Sequence, residues 1–538
     1  MKIQGLLYDI ARGLRGDVKY IEELIPRLSS YGYNMLVLHL EYRFQFRSHP
    51  VIGPEDSLRP EDVVYLDGIA KEYGIELVPC VNCAGHCEGI LLLEKYKSLG
   101  VDPTGMTKAV EQLIVKDLGA LNLIKELYTD IMNSFSSKYL HIGGDEVRRL
   151  NVQLPHLSEE ERWPIALEHV LSIIDFVKER GKIPMIWGDM FLKHRECINR
   201  VSDDVIICDW EYFDRPSRSG PGNIEGQRFF KEAGKRVLAS PAINGFYGHP
   251  LVSVNSTENI RAFTSDNQAV DGDGILLCTW ENNFGSFFSS HWPWIKLQSD
   301  VIKGTDSGGM EFLREYTRDE WGLNSDALKE WYELVDVEVQ KILSPYSDLP
   351  FTLICILRHQ VFRTKNILPP LYDSRSWLGK EVRSELLDVL GKAKKVAEGM
   401  YDKAVRRREE PLRLLQWTDT FICILQLAEL VDELEKSYHE AAIAQGSDSE
   451  LFVEALNRCA SILQEMVCVS KPLGDWTETL VAYENQVAEE KWWIPQAQKD
   501  LAWRGEELKK VLENNRSLIN FNRFIRFDPD IPNRVMNR

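Results

Sequence analysis

The sequence predicts an α/β protein in which a (β/α)8 TIM barrel is followed by an α-helical C-terminal domain. Short apolar segments alternate with segments of helical period over roughly the first 300 residues, as in repeated βα units. Eight such units can be counted, which is the number that closes a barrel. After Gly304 the strand pattern stops and only helical periodicity continues. An open, doubly wound sheet is the alternative arrangement of the same units.

Each predicted strand is a short apolar segment, and a glycine stands between several of the predicted helices and the next strand. The predicted strands are 3–8, 34–40, 75–82, 138–142, 183–187, 205–210, 236–240 and 275–280. The helical patterns between them include 18–31, 60–73, 107–135, 158–180 and 223–233. Gly32, Gly74, Gly181 and Gly234 are placed where a helix ends in a left-handed residue.

The remaining chain is helical in pattern, which predicts two domains: a (β/α)8 barrel at 1–304 and an α-helical domain at 305–538. The predicted helices are 326–343, 380–408, 411–438, 449–469 and 477–514. With no repeat period and no low-complexity linker, this region is expected either to pack on the barrel or to form the interface of a homodimer.

Charge and apolar content exclude several classes of partner. The formal net charge is −18, which disfavours nucleic acid and anionic membranes, since both require a basic surface. No segment approaches the roughly 18 uninterrupted apolar residues that span a bilayer. Residues 1–9 resemble a first strand rather than a signal peptide, and the ten cysteines are scattered. We therefore expect a cytoplasmic protein with free thiols and a neutral ligand.

One group of residues has the composition of a metal site. Cys80, Cys83, His86 and Cys87 could supply four ligands. However, Cys80 falls on a predicted strand, and structural zinc sites usually draw their ligands from two separated pairs. The group is better interpreted as buried core or pocket wall, and we expect neither a metal nor another cofactor.

The segment Tyr139-Leu-His-Ile-Gly-Gly-Asp-Glu146 is the strongest candidate for chemistry. In a chain with 82 acidic residues, adjacent carboxylates such as Asp145 and Glu146 occur about a dozen times by chance, mostly on the surface. This pair, however, follows a buried strand and two glycines. Consecutive strand residues point to opposite faces, so Gly143 and Gly144 must free the backbone before both carboxylates can share a site.

The residues that end the other strands would meet this pair at one mouth of the barrel. They are polar or aromatic: Arg12, His86, Trp187 with Asp189, Trp210, Asn244 with Tyr247, and Trp280 with Glu281. Each tryptophan alone is more often a core residue, but three stand at corresponding strand ends. Indole walls with carboxylates and an arginine suit a sugar, whose C–H faces stack on aromatic rings while its hydroxyls form hydrogen bonds.

These segments carry a resemblance to a known family. His141-Ile-Gly-Gly-Asp-Glu146 resembles the signature of the family 20 glycoside hydrolases, the exo-acting β-N-acetylhexosaminidases. Tyr8-Asp-Ile-Ala-Arg12, Asn82-Cys-Ala-Gly-His86, Trp187-Gly-Asp189, Asp209-Trp210 and Trp280 resemble further family segments in the same order. The likeness covers roughly residues 3–290. Two segments depart from the family's commoner pattern: Asn82 stands where an aspartate is frequent, and Glu41-Tyr42-Arg43 replaces an acidic turn after the second strand.

The resemblance implies a substrate-assisted hydrolysis of a terminal β-linked N-acetylhexosamine, GlcNAc or GalNAc, from a carbohydrate substrate. Glu146 would be the general acid and then the base, and Asp145 would orient the acetamido group. Tyr247 is the candidate donor to the acetamido oxygen, with Asn244 as its competitor. His86, together with Glu41, would tune Glu146, and Arg12, Trp187, Asp189, Trp210, Trp280 and Glu281 would bind the sugar.

Two other functions remain open from the sequence. One is a sugar-binding barrel without turnover, against which the intact pair of Asp145 and Glu146 argues. The other is a metal-dependent barrel enzyme that uses Asp145, Glu146 and Asp189 as ligands.

Overall fold

The computed structural model describes residues 2–11, 16–101, 111–212, 224–243, 253–280, 287–343, 379–445 and 447–482, together with several residues between 498 and 510. The chain divides into two compact units. The first consists of 1–244, 253–281 and 294–306, and the second is made mostly of 307–538.

The first unit contains a closed barrel of parallel strands. The described strands are β1 (Ile3–Asp9), β2 (Met35–His39), β3 (Glu76–Cys80), β4 (Tyr139–His141), β5 (Ile183–Trp187), β6 (Ile206–Trp210), β7 (Arg236–Ser240), β8 (Ala242–Ile243) and β9 (Gly274–Thr279). Each of β1 to β6 pairs with the next strand, and β9 pairs with both β7 and β1, which closes the ring. The two-residue β8 follows β7 after Pro241 and also pairs with β9. The prediction of a (β/α)8 barrel is therefore confirmed.

Helices follow most strands of the barrel. The longer ones are Val18–Tyr31, Pro60–Glu72, Leu118–Ser134, Glu159–Glu179, Ile224–Glu232, Ser253–Ala269 and Trp292–Lys303. Shorter ones are Glu88–Leu91, Leu150–Gln153 and Asp189–Lys193, with 3-10 turns at Lys97–Leu99 and Arg195–Arg200. The helix predicted at 107–135 is wrong at its start. Residues 111–117 are not helical, because the Asp117 side chain accepts the Ala120 N–H at 2.9 Å and caps the helix there.

Alternate residues of the strands fill the interior of the barrel. Leu7, Val37, Val78, Met185, Ile206, Leu238 and Leu276 belong to one buried cluster with Cys80, Cys208 and Cys278. Because the side-chain period of a strand is two, the same alternation directs Asp9, His39, His141, Trp187 and Trp210 inward at the carboxyl ends of their strands. The polar and aromatic residues therefore lie on top of an apolar floor.

The second unit is helical in its described part. Its elements are Phe288–His291, Phe312–Tyr316, Thr317–Trp321, Ala327–Tyr332, Glu333–Glu338, Val339–Leu343, Lys380–Lys403, Glu409–Ala444, Ser449–Val469 and Lys471–Ala482. The predicted helix 326–343 contains a π-helical segment at Glu333–Glu338. The predicted helix 411–438 is longer in the structure and runs from Glu409 to Ala444.

The helix Glu409–Ala444 forms much of the core of this unit. Buried Glu410 accepts hydrogen bonds from Tyr316 Oη at 2.7 Å and Trp321 Nε1 at 2.8 Å. By length and composition the helix could also cross a membrane, with an 18-residue window of mean hydropathy 1.3. However, 67% of that window is buried in the structure, as in the core helix of a helical domain.

Candidate active site

The loop after β4 leaves strand geometry at its two glycines, as the sequence predicts. Gly143 and Gly144 have φ values of 66° and 88°, and Glu146 is also left-handed with φ 48°. The loop after β3 packs against this turn. A Cβ on Gly85 would lie 2.5 Å from the Asp145 carbonyl oxygen, and one on Gly143 would lie 2.1 Å from Asn82 Oδ1. Close backbone approach between the two loops therefore sets the position of the two carboxylates.

The two carboxylates share one histidine. His86 Nε2 lies 2.9 Å from Glu146 Oε2 and 3.6 Å from Asp145 Oδ2. The side chains of Asp145, Glu146 and His86 are 15%, 20% and 24% exposed, so they are partly shielded but reachable by a ligand. On its other oxygen, Oε1, Glu146 pairs with Arg148, which is 62% exposed. Glu146 thus lies between a histidine on the barrel side and an arginine on the solvent side.

Asp189 lies behind Asp145 and Glu146 and accepts a hydrogen bond from the backbone of Glu146. Its Oδ2 accepts the Glu146 N–H at 3.2 Å, and its Oδ1 accepts Trp210 Nε1–H at 3.3 Å. Burial, together with the neighbouring Asp145 charge, raises the pKa of Asp189 from 3.8 to about 7. The described hydrogen bonds of Asp189 are to Glu146 and Trp210. Asp189 therefore fixes these two residues beside the space predicted for the sugar.

Aromatic rings form a continuous arc over the barrel floor. The ring centroids of Trp187 and Trp280 are 6.3 Å apart, those of Trp280 and Tyr212 are 6.4 Å apart, and Trp210 stacks on Tyr212 at 4.9 Å. The structure therefore brings all three predicted tryptophans together and adds a tyrosine. Burial raises the pKa of Tyr212 well above its ordinary value, so its hydroxyl stays protonated and able to donate.

A buried chain of polar groups lies under the loop after β3. His39 Nδ1 is 2.8 Å from Asp9 Oδ1, and His39 Nε2 is 3.3 Å from Asn82 Nδ2. Asn82 Nδ2 also donates to the His86 carbonyl oxygen at 3.1 Å. These contacts connect Asp9 to the backbone of the histidine that contacts Glu146.

His39 and Tyr212 were not among the residues singled out from the sequence. A sequence signal for both exists, because each lies two residues after an inward-facing strand residue: His39 after Val37, and Tyr212 after Trp210. Arg12, Asn244, Tyr247 and Glu281, which were predicted to bind the sugar, lie outside the described residues.

The cysteine group of the sequence forms part of the core instead. Cys80, Cys83 and Cys87 are free, buried thiols, and burial raises the pKa of Cys83 to about 12. Metal binding requires the thiolate, which burial disfavours here. Within the described ranges, no three histidine, cysteine, aspartate or glutamate side chains are arranged to hold a metal ion.

Comparison with known proteins shows what this region is similar to. Residues 2–222 match the model of glycosyl hydrolase family 20, catalytic domain. Beta-hexosaminidase 1 from Coccidioides posadasii is 21% identical over 238 residues, which cover 39% of this chain and 40% of that protein. Beta-N-acetylhexosaminidase from Cellulomonas fimi is 23% identical over 206 residues, which cover 35% and 39%. The chain thus spans about two fifths of the length of these relatives.

Solved structures of similar proteins include Flavobacterium johnsoniae chitobiase and a beta-N-acetylhexosaminidase from Bacteroides fragilis. The first is 15% identical with a TM-score of 0.48, and the alignment covers 96% of this chain and 73% of that one. The second is 19% identical with a TM-score of 0.45 and coverage of 56% and 65%. Residues 2–222, which include strands β1 to β6 and the pair Asp145 and Glu146, are thus similar to the catalytic domain of glycosyl hydrolase family 20.

Proposed function

We propose that the protein is a retaining exo-β-N-acetylhexosaminidase that releases terminal GlcNAc or GalNAc by substrate-assisted catalysis. The observation that carries the proposal is the cluster of Asp145, Glu146 and His86 at the end of β4, beside an arc of aromatic rings. Two adjacent carboxylates with different neighbours can take different roles in one reaction.

In the proposed first step, the 2-acetamido oxygen of the substrate attacks the anomeric carbon while the glycosidic bond breaks. Glu146 gives its proton to the leaving oxygen, and Asp145 stays ionised and binds the acetamido N–H. The product is an oxazolinium intermediate. In the second step Glu146 removes a proton from water, which attacks the anomeric carbon from the side that the leaving group vacated, so the configuration is retained.

Besides Asn244, two tyrosines are candidates for the residue that donates a hydrogen bond to the acetamido oxygen. Tyr247 was the first choice from the sequence. Tyr212 is a second, because its ring stacks on Trp210, its hydroxyl stays protonated and the Asp145 charge is among the causes that raise its pKa. Tyr212→Phe and Tyr247→Phe would identify the donor by which variant loses more kcat.

Relatives and composition support the proposal at a coarser level. The similar proteins from C. posadasii and C. fimi are named as hexosaminidases. A chain of net charge −18 suits a neutral terminal sugar better than nucleic acid or an anionic membrane. The nine described cysteines are free, which favours a reducing compartment, and we place the enzyme in the cytoplasm. A homodimer formed through the helical unit is part of the same proposal.

The test is hydrolysis of aryl β-GlcNAc, β-GalNAc and β-glucoside by the full chain. We expect turnover of the N-acetyl sugars and none of the glucoside, which lacks the internal nucleophile. Asp145→Asn and Glu146→Gln should each lose roughly a hundredfold or more in kcat. Glu168→Gln, which changes a surface carboxylate paired with Arg200, is the matched control.

Four outcomes would contradict the proposal. Equal rates on glucoside and GlcNAc substrate would exclude substrate assistance, and full activity in Glu146→Gln would exclude its role. Binding of the sugar without turnover would favour the inactive barrel. Loss of activity with a chelator, restored by metal, would favour the metal-dependent enzyme.

A further inference from the structure

A cavity of about 630 Å³ opens from the solvent side of Glu146. It shares Glu146, Asp189 and Trp210 with the candidate active site and continues along the loop after β4 and the start of the helix Glu159–Glu179. In the proposed reaction the departing group must lie against the general acid. Among the described residues, the cavity that begins at Glu146 is therefore one space open to the aglycone.

The outer part of this cavity is basic, although the chain as a whole is acidic. Arg148, Arg162 and Lys193 line it, and Glu159 is the acidic residue there. Lys193 and Glu159 form an ion pair of 2.9 Å and largely cancel. Burial lowers the pKa of the adjacent His194, so its ring adds little charge at neutral pH. Arg148 is likewise paired with Glu146, so Arg162 carries the remaining positive charge.

Arg162 is held in place without a carboxylate partner. Its Nε donates to the Leu154 carbonyl oxygen at 2.9 Å, and the side chain is half-buried in the cavity wall. Among the described residues, no carboxylate lies within ion-pair distance of it. A guanidinium that a hydrogen bond fixes in the wall of a cavity is suited to bind an oxyanion.

Arg148 is bound to the general acid itself, and this pairing has a chemical consequence. Its guanidinium lies on Glu146 Oε1 and favours the ionised carboxylate. Glu146 must carry a proton to act on the leaving oxygen. An anionic group in the cavity would draw Arg148 away from Glu146, and the protonated acid would then be favoured.

We propose that this cavity binds an aglycone that carries a carboxylate or sulfate group, with Arg162 as a fixed anchor and Arg148 as a residue that exchanges Glu146 for the substrate anion. This inference rests on the proposed hexosaminidase function and names its substrate class. It also explains why a basic pair is present beside the acid residue of a strongly acidic protein.

The test compares β-N-acetylglucosaminides of three phenols that differ only at a methylene-linked group: carboxymethyl, sulfomethyl, whose sulfonate is the analogue of a sulfate, and the neutral carbamoylmethyl. The methylene insulates the phenol, so the leaving groups are of similar acidity. We expect kcat/KM to be roughly tenfold higher for at least one anionic substrate than for the amide, and this preference to shrink in high salt. The carboxylate and sulfonate arms show which anion is preferred.

Substitutions show which residues cause the higher kcat/KM for the anionic substrates. Arg162→Gln should remove most of the preference for anionic substrates, and Arg148→Gln should also reduce it. Arg195→Gln is the matched control and should retain it, because Arg195 lies two residues after Lys193 but its guanidinium is over the Phe229 ring, 4.9 Å from the centroid.

Failure of this inference is distinguishable from failure of the proposed function. Equal kcat/KM for all three substrates, or a preference that survives both cavity variants, would overturn the anionic aglycone while hydrolysis stands. If no substrate is hydrolysed, the hexosaminidase proposal fails. The charge preference is then measured by calorimetric binding of the corresponding S-glycosides to the wild-type chain, and equal affinities for anionic and neutral forms would refute it.

Discussion

Asp189→Asn should stabilise the protein at alkaline pH. Native Asp189 has a pKa of about 7, against an ordinary value of 3.8. Between these two values the unfolded chain has released the proton while the native protein still holds it. The free energy of unfolding therefore falls as pH rises through this window and is constant above it. An asparagine does not titrate, so the free energy of unfolding of the Asp189→Asn variant does not fall in this window.

The expected change in the free energy of unfolding follows from the raised pKa of Asp189. About three pKa units at roughly 1.36 kcal/mol each give an upper limit of about 4 kcal/mol. Asp189 is only partly buried by its surface area, so solvent screening reduces the expected gain to about 2 kcal/mol. The amide accepts only one of the two hydrogen bonds from Glu146 N–H and Trp210 Nε1, which costs about 1 kcal/mol at every pH.

The assay is urea unfolding of the wild type and Asp189→Asn at several pH values from 4 to 9. Because the lost hydrogen bond is a constant offset, the difference between the two proteins is expected to change by about 2 kcal/mol between pH 4 and pH 7 and then to level off. A difference that does not depend on pH would show that Asp189 titrates normally. Glu168→Gln is again the surface control.

Three further predictions concern other parts of the structure. His39→Phe keeps an aromatic ring but removes both nitrogen contacts under the loop after β3, so kcat for the GlcNAc substrate should fall roughly tenfold or more in steady-state kinetics while KM changes little. A proportional rise in KM would argue for a substrate contact instead. Gly143→Ala should destabilise the protein by at least 1–3 kcal/mol more than Gly181→Ala in thermal unfolding, because both glycines are left-handed but only the first would meet Asn82. Equal costs would remove the steric argument. Glu410→Ala should lower the stability of the helical unit by about 3 kcal/mol or more, since buried tyrosine and tryptophan donors lose their acceptor; urea unfolding measures it, and a change below 1 kcal/mol would contradict the role.

The barrel could be predicted from the sequence because its signals are local. Each strand is a short apolar segment, and the glycines at 32, 74, 181 and 234 mark the turn into the next strand with positive φ values. The start of the helix at Leu118 was missed because the amphipathic pattern extends before it. The helix begins at Leu118 because the Asp117 side chain caps it there.

The site was predicted in part, for a physical reason. Asp145, Glu146 and the three tryptophans stand at strand ends, and closure of a barrel brings strand ends together. His39 was missed because a histidine inside an apolar strand shows no function until its neighbours are known. Its partners, Asp9 and Asn82, are 30 and 43 residues away, so the chain of contacts exists only once three strands are in register.

The side chain at position 82 determines the charge of the buried chain of polar groups that Asp9, His39 and Asn82 form. The contacts fit a neutral His39 ring that donates from Nδ1 to Asp9 and accepts at Nε2 from the Asn82 amide, which also donates to the His86 carbonyl. An aspartate at 82 cannot donate to either acceptor, so it would require a proton on Nε2 and place a second negative charge beside the loop that carries His86. With asparagine, the buried chain orients the histidine without adding charge near Glu146. His86 and Arg148 are among the groups that contact the carboxylate oxygens of Glu146, and they act directly on the ionisation of the proposed acid.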